Sequence, residues 1–146
     1  MAEIERKGQA VWRGNLRNGE GYVGTESGVI EKQRYSFSTR FEDEPGTNPE
    51  ELIAAAHAAC YSMAFAGALR ENGYGPEAIE TEATCTLVPL DEGGFEIAKM
   101  ALKVQGEVPD IDEATFKEIA KEADKSCPVS NLLRSGLTIE LDATLA

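Results

Sequence analysis

The sequence predicts an α+β fold in which mainly antiparallel sheets pack on one long central helix. Three observations carry this expectation. The first forty residues alternate β-branched and aromatic runs with glycine-rich turns. An alanine-rich helical run follows from about residue 49 to residue 72. Behind it come two long alternating segments and then two helical ones. Helices set apart from runs of neighbouring strands are the α+β pattern. A chain of 146 residues fits a single domain, 1–146.

The elements can be justified in order. "GQAVWRG" and "GEGYVGTESGVI" read as strands closed by glycine turns. In "QRYSFSTRFE", Tyr35, Phe37, Thr39 and Phe41 fall on one face and Ser36, Ser38 and Arg40 on the other, the period-two signal of a strand. "EDEPGTN" is a loop. Asn48 can cap the helix that follows, with Pro49 at its first position. Glu51 completes an N-x-x-E box, and Glu50 joins it at the positive end of the dipole. Gly73 supplies the stop. "IETEATCTLVPL" and "FEIAKMALKVQGEV" form a pair of long strands joined by "DEGG". "DIDEATFKEIAKEADKS" is an amphipathic helix, "PVSNLLRSG" a short one, and "LTIELDATL" a closing strand. The expected order is β-β-β-α-β-β-α-α-β.

Composition excludes several classes. A net charge of −12 argues against a nucleic-acid surface, which needs clustered Lys and Arg. "MAEIERKGQAVW" lacks the apolar core of a signal peptide. The run from Leu52 to Leu69 approaches membrane-spanning length. It is mostly alanine, however, and holds His57, Ser62 and Gly67, so it reads as a buried helix and not a membrane span. Three cysteines do not make a disulfide framework, which points to a reducing cytoplasm.

Those cysteines differ in setting. Cys60 lies among alanines, three residues after His57, and can be a small hydrophobe, a metal ligand or a reactive thiol. The metal reading lacks ligands: the chain has one histidine and no C-x-x-C pair. Cys127 precedes Pro128, so it caps the short helix; it is either a structural cysteine or a thiol whose ionisation the backbone N–H groups and the dipole favour. Cys85 sits inside a strand and reads as packing. Arg40 closes the "SFSTR" strand and is either an exposed strand-end arginine or a guanidinium aimed at a thiolate; Arg13, Arg17, Arg34 and Arg70 compete with it. Glu50 either stabilises the helix start or holds an arginine. Ten residues of unbroken helix separate Glu50 from Cys60 by about 15 Å. If both act in one site, Glu50 comes from a second subunit and the site lies at a dimer interface.

"STRFEDEPGTNPEELIAAAHAACYSMAF" and "CPVSNLL" closely resemble the osmotically inducible protein C family of peroxidases, which also includes the organic hydroperoxide resistance proteins. The similarity runs from "KGQAVWRG" to the last strand, and "TESGV…RFE…GTNPEEL" resembles the osmotically inducible branch. The resemblance implies an intertwined α+β homodimer in the cytoplasm, without metal or flavin. It matches Cys60 to the peroxidatic cysteine, Cys127 to the resolving cysteine and Glu50 to the glutamate of the NPE segment. Arg40 matches the active-site arginine, with Arg17 as the alternative from the sister branch. The implied reaction reduces organic hydroperoxides and hydrogen peroxide through a Cys60 sulfenic acid and a Cys60–Cys127 disulfide, which a lipoyl-type or small dithiol reopens. The rivals are a non-enzymatic binding or scaffold dimer with a structural cysteine pair, and a cysteine hydrolase or transferase using His57.

Overall fold

The structure is a computed structural model that describes residues 2–145. Its elements are β1 (Gly8–Arg13), β2 (Glu20–Thr25), β3 (Gln33–Tyr35), α1 (Phe37–Phe41), α2 (Pro49–Glu71), β4 (Ala78–Pro89), β5 (Phe95–Glu107), α3 (Glu113–Ser126) and α4 (Pro128–Ser135). The chain divides into two compact units. One holds the sequence up to Ile53 with Thr86–Ala98; the other holds Ala54–Cys85 and the residues from Lys99 onward.

In the first unit β1, β2 and β3 form an antiparallel sheet in that order, with Trp12 opposite Gly21 and Gly21 opposite Tyr35. A Cβ on Gly21 would stand 2.7 Å from both the Trp12 and the Tyr35 rings, so only glycine lets the two aromatics close over β2.

The strand expected across Phe37–Phe41 is a helix instead, and Arg40 therefore sits in the last turn of α1. The cause is a capping box. Ser36 Oγ accepts from the Thr39 N–H at 3.2 Å, and Thr39 Oγ1 accepts from the Ser36 N–H at 2.8 Å. Phe37 and Phe41 share a face either way, because a spacing of four residues suits both a strand and a helix. Their rings lie 4.9 Å apart, and Phe41 stacks on Phe95 at 4.6 Å.

Helix α2 begins and ends as its sequence dictates. Asn48 Oδ1 accepts from the Glu51 N–H at 2.8 Å. At the far end Gly73 takes φ 88°, and the Tyr74 N–H reaches back to the Leu69 carbonyl at 2.9 Å, a Schellman closure. The helix is long and apolar enough to cross a membrane by length and composition. In the second unit, however, it packs Tyr61, Phe65, Ala68 and Leu69 against Ile119, Ala123 and Cys127, with Leu102, Val104 and Phe116 alongside. Each residue of that core removes apolar surface from water at about 25 cal/mol per Å².

The β4–β5 hairpin turns at Asp91–Gly94 with positive φ at Gly93 and Gly94. Asp112 caps α3 by accepting from the Thr115 N–H at 2.7 Å. The strand expected over "LTIELDATL" is not formed. Leu137, Ile139, Leu141 and Leu145 are 66–98% exposed there, and a strand needs an edge to pair with.

Candidate active site

The cysteine site is built where three helices of the second unit meet. Cys127 is at once the last cap of α3 and the first of α4, with φ −73° and ψ 116°. That extended backbone is what Pro128 demands of the residue before it. Cys127 is fully buried; Cys60, from the middle of α2, is partly so. Both are thiols, and Cys60 packs against the core cluster that holds Cys127.

The two thiols are pushed in opposite directions. Burial pushes Cys60 above its ordinary value, the Val129 N–H works against that, and Cys127 adds to the rise. Burial would also raise Cys127, but it is outweighed. The Ser130 hydroxyl, the Ser130 N–H, the Cys60 S–H and the Val129 N–H hold the Cys127 thiol below the usual range. The neutral thiol makes no formal cap bond; these donors act on the sulfur as it ionises.

His57, one turn before Cys60 on α2, turns to Ser130 rather than to that cysteine. Its Nε2 lies 2.8 Å from Ser130 Oγ, and both residues are only 4% exposed. Burial lowers the His57 pKa, Asp124 opposes this and Arg134 adds to it. His57, Tyr61, Leu102, Val104, Ser130 and Leu133 line part of a cavity of about 920 Å³.

The first unit contains the other expected pair. Arg40 Nε donates to Glu50 Oε1 at 2.9 Å and Arg40 Nη2 donates to Glu50 Oε2 at 2.8 Å, a bidentate bridge. The Glu50 side chain is 9% exposed and that of Arg40 35%. The Glu50 hydrogen bond raises the Arg40 pKa, against a smaller effect of burial. Arg17 lies over the Phe37 ring at 4.8 Å instead. The expected site residues thus fall into two preformed pairs within one chain, Arg40 with Glu50 and Cys60 with Cys127. Sequence reasoning missed Ser130. Its signal is local: it stands three residues after the capping Cys127, as the third position of a capping box does.

Among the described residues no group of three or more His, Cys, Asp or Glu is placed to hold a metal ion. A buried, donor-rich thiol pair on this α+β frame defines a class of protein, and the chain belongs to the OsmC-like protein family, matched over residues 41–142.

Particular relatives sharpen this. The chain is 51% identical over 137 residues to the peroxiredoxin OsmC of Escherichia coli K12, covering 94% of this chain and 95% of that protein. It is 28% identical over 123 residues to the organic hydroperoxide resistance protein OhrB of Bacillus subtilis 168, covering 84% and 88%. The crystal structure of Bacillus subtilis OhrB superposes with a TM-score of 0.64 at 25% identity, covering 88% of this chain and 91% of that one. An OsmC-like protein of Mycoplasma pneumoniae shares the fold at a TM-score of 0.69, with 15% identity and coverage of 92% and 90%.

Proposed function

We propose that this protein is a soluble, cytoplasmic thiol peroxidase that reduces organic hydroperoxides and hydrogen peroxide, with the whole chain acting as one domain of an intertwined homodimer. The observation that carries the reading is the apposition of Cys60 and Cys127, two thiols in one buried site with donors gathered on one of them. The peroxiredoxin similarity over 94% of the chain supports the same reaction.

In this reading the Cys60 thiolate attacks the distal oxygen of the hydroperoxide. The O–O bond breaks, an alcohol or water leaves, and Cys60 becomes a sulfenic acid. The Cys127 sulfur then displaces the sulfenic oxygen, giving the disulfide and water, and an external dithiol reopens it by exchange. Burial pushes Cys60 the wrong way for the first step, so a cation must oppose it. The Arg40 guanidinium, held flat by Glu50, is that cation and also donates to the peroxide oxygens. Because α2 runs unbroken from Pro49 to Glu71, Arg40 and Glu50 serve the Cys60 of a second subunit.

Two surfaces support a dimer. Ala55, Ala59, Met63 and Gly67 repeat every fourth residue along the exposed face of α2, with Met63 78% exposed. The alternating apolar residues of the C-terminal segment are likewise uncovered. The hydrolase reading has less support, because His57 Nε2 turns to Ser130 and not to Cys60.

The test is a thiol count by mass spectrometry after one equivalent of cumene hydroperoxide. A Cys60–Cys127 disulfide with Cys85 unchanged is the expected product. Unreacted thiols would leave the scaffold reading in its place. Sedimentation should give a dimer, and Met63→Glu should drive it toward monomer.

A further inference from the structure

We propose that His57 is a positioning residue for disulfide formation, acting through Ser130 to orient the Cys127 sulfur for attack on oxidised Cys60. The inference rests on the peroxidase reading and adds two residues to its second step.

The hydrogen-bond inventory sets the direction of the chain. A serine hydroxyl has one proton to donate. The Cys127 sulfur, at the N-cap three residues before Ser130, is the group this proton serves as the thiol ionises. A proton on the unpartnered Nδ1 would be a buried N–H with no acceptor, so Nε2 carries the ring proton and donates to Ser130 Oγ across 2.8 Å. Nδ1 is left as a bare lone pair, and it is indeed a buried nitrogen without a hydrogen-bond partner. Buried polar atoms are normally paired, and an unpaired one costs stability. A histidine kept for packing alone has no reason to bear that cost. Here it leaves one tautomer and one direction: His57 N–H to Ser130, Ser130 O–H to the sulfur, each bond strengthening the next.

The surroundings keep His57 neutral in this role. The charges that act on it are Asp124 of α3 and Arg134 of α4, which pair with each other at 2.6 Å. Glu118, Lys121, Glu122 and Lys125 of α3 stand elsewhere on the same cavity wall. From β5 the wall receives Met100, Leu102 and Val104, which carry no charge, and from α2 it receives Tyr61.

The step balances without a further reagent. The Cys127 thiolate attacks the Cys60 sulfenic sulfur, the S–S bond forms and the S–O bond breaks. Cys127 is oxidised and Cys60 reduced. The departing hydroxide takes up the proton that Cys127 released on ionising, so water is the by-product. Ser130 and His57 keep their own protons throughout.

The experiment follows disulfide formation in the reduced full-length protein after one equivalent of cumene hydroperoxide, from pH 5 to 8. Mass spectrometry counts the disulfide, and dimedone traps the sulfenic acid. For Ser130→Ala and His57→Phe, disulfide formation should slow about 10-fold at pH 7, and its pH midpoint should rise by about one unit, from the loss of a hydrogen bond to a charged sulfur. His57→Gln, which keeps an N–H donor toward Ser130, should recover most of the rate. Sulfenic acid should accumulate in the slow variants. Wild-type rate and pH midpoint in Ser130→Ala would overturn the proposal, as would slowing with no shift of the midpoint. Ser130→Ala decides the matter if His57→Phe does not fold. A wild-type protein that forms no Cys60–Cys127 disulfide would instead overturn the peroxidase reading beneath it.

Discussion

Arg40 and Glu50 are joined by two short charge-assisted hydrogen bonds, and each partner satisfies the other. Cys60 packs against the core that holds Cys127, and the two thiols are pushed apart in acidity, one up and one down. Both pairs depend on helix starts: Glu50 lies in the first turn of α2, and Cys127 caps α4. The difference shows a division of labour. The first pair is a finished instrument that holds a guanidinium still. The second is left electrically lopsided, and the proposed chemistry draws on that imbalance.

The comparison can be broken most decisively at the thiols. Cys60→Ser should abolish hydroperoxide turnover, a loss of three orders of magnitude or more on the order expected for removing a nucleophile. Full activity of that variant in a peroxide-consumption assay would end the reading. Cys127→Ser should still consume one equivalent of peroxide per Cys60 but form no intramolecular disulfide, visible as a dimedone-trapped sulfenic acid. A disulfide involving Cys85 in that variant would reassign the resolving role.

The guanidinium pair comes next. Arg40→Ala and Glu50→Gln should each lower kcat/KM for organic hydroperoxide by about 10- to 100-fold, and Arg40→Lys should not restore it, because an ammonium cannot hold both carboxylate oxygens. Arg17→Ala should leave kcat/KM within about twofold, as surface changes away from the chemistry do. The reverse ranking would hand the role to Arg17.

The smallest effect is on stability. His57 has a lower pKa in the folded chain than its ordinary value of 6.5. The unfolded chain therefore binds the proton more readily below pH 6.5, and stability falls as pH drops through that region. The extra slope approaches about 1.4 kcal/mol per pH unit. Urea midpoints between pH 7.5 and 5 should show it in the wild type, and His57→Gln should lack it.

Much of this was legible because local chemistry marks it. Asn48, Pro49 and Gly73 bound α2, and Pro128 places Cys127 at a cap. The misreading of α1 has an equally local cause: Phe37 and Phe41 alternate acceptably for a strand while sharing a helical face, and Thr39, though buried, spends its hydroxyl on the helix cap. The C-terminal run alternates as a strand should, yet a strand exists by virtue of an edge outside itself. The His57–Ser130 bond spans 73 residues, so no periodicity announces it. The sequence puts Arg40 on the wrong element, yet its partner Glu50 stands at a helix start that the sequence does mark.

Cys127 ends one helix and starts the next, so in the proposed cycle the disulfide does more than store two electrons. It ties the joint of α3 and α4 to the middle of α2 and closes a loop of roughly 70 residues. In the chain-entropy account such a cross-link disfavours the unfolded chain by about 4 kcal/mol. The oxidised protein should therefore be the harder of the two to unfold. Each reduction by the external dithiol would return the chain to its looser form, and an unfolding assay could then serve as a gauge of the redox poise around it.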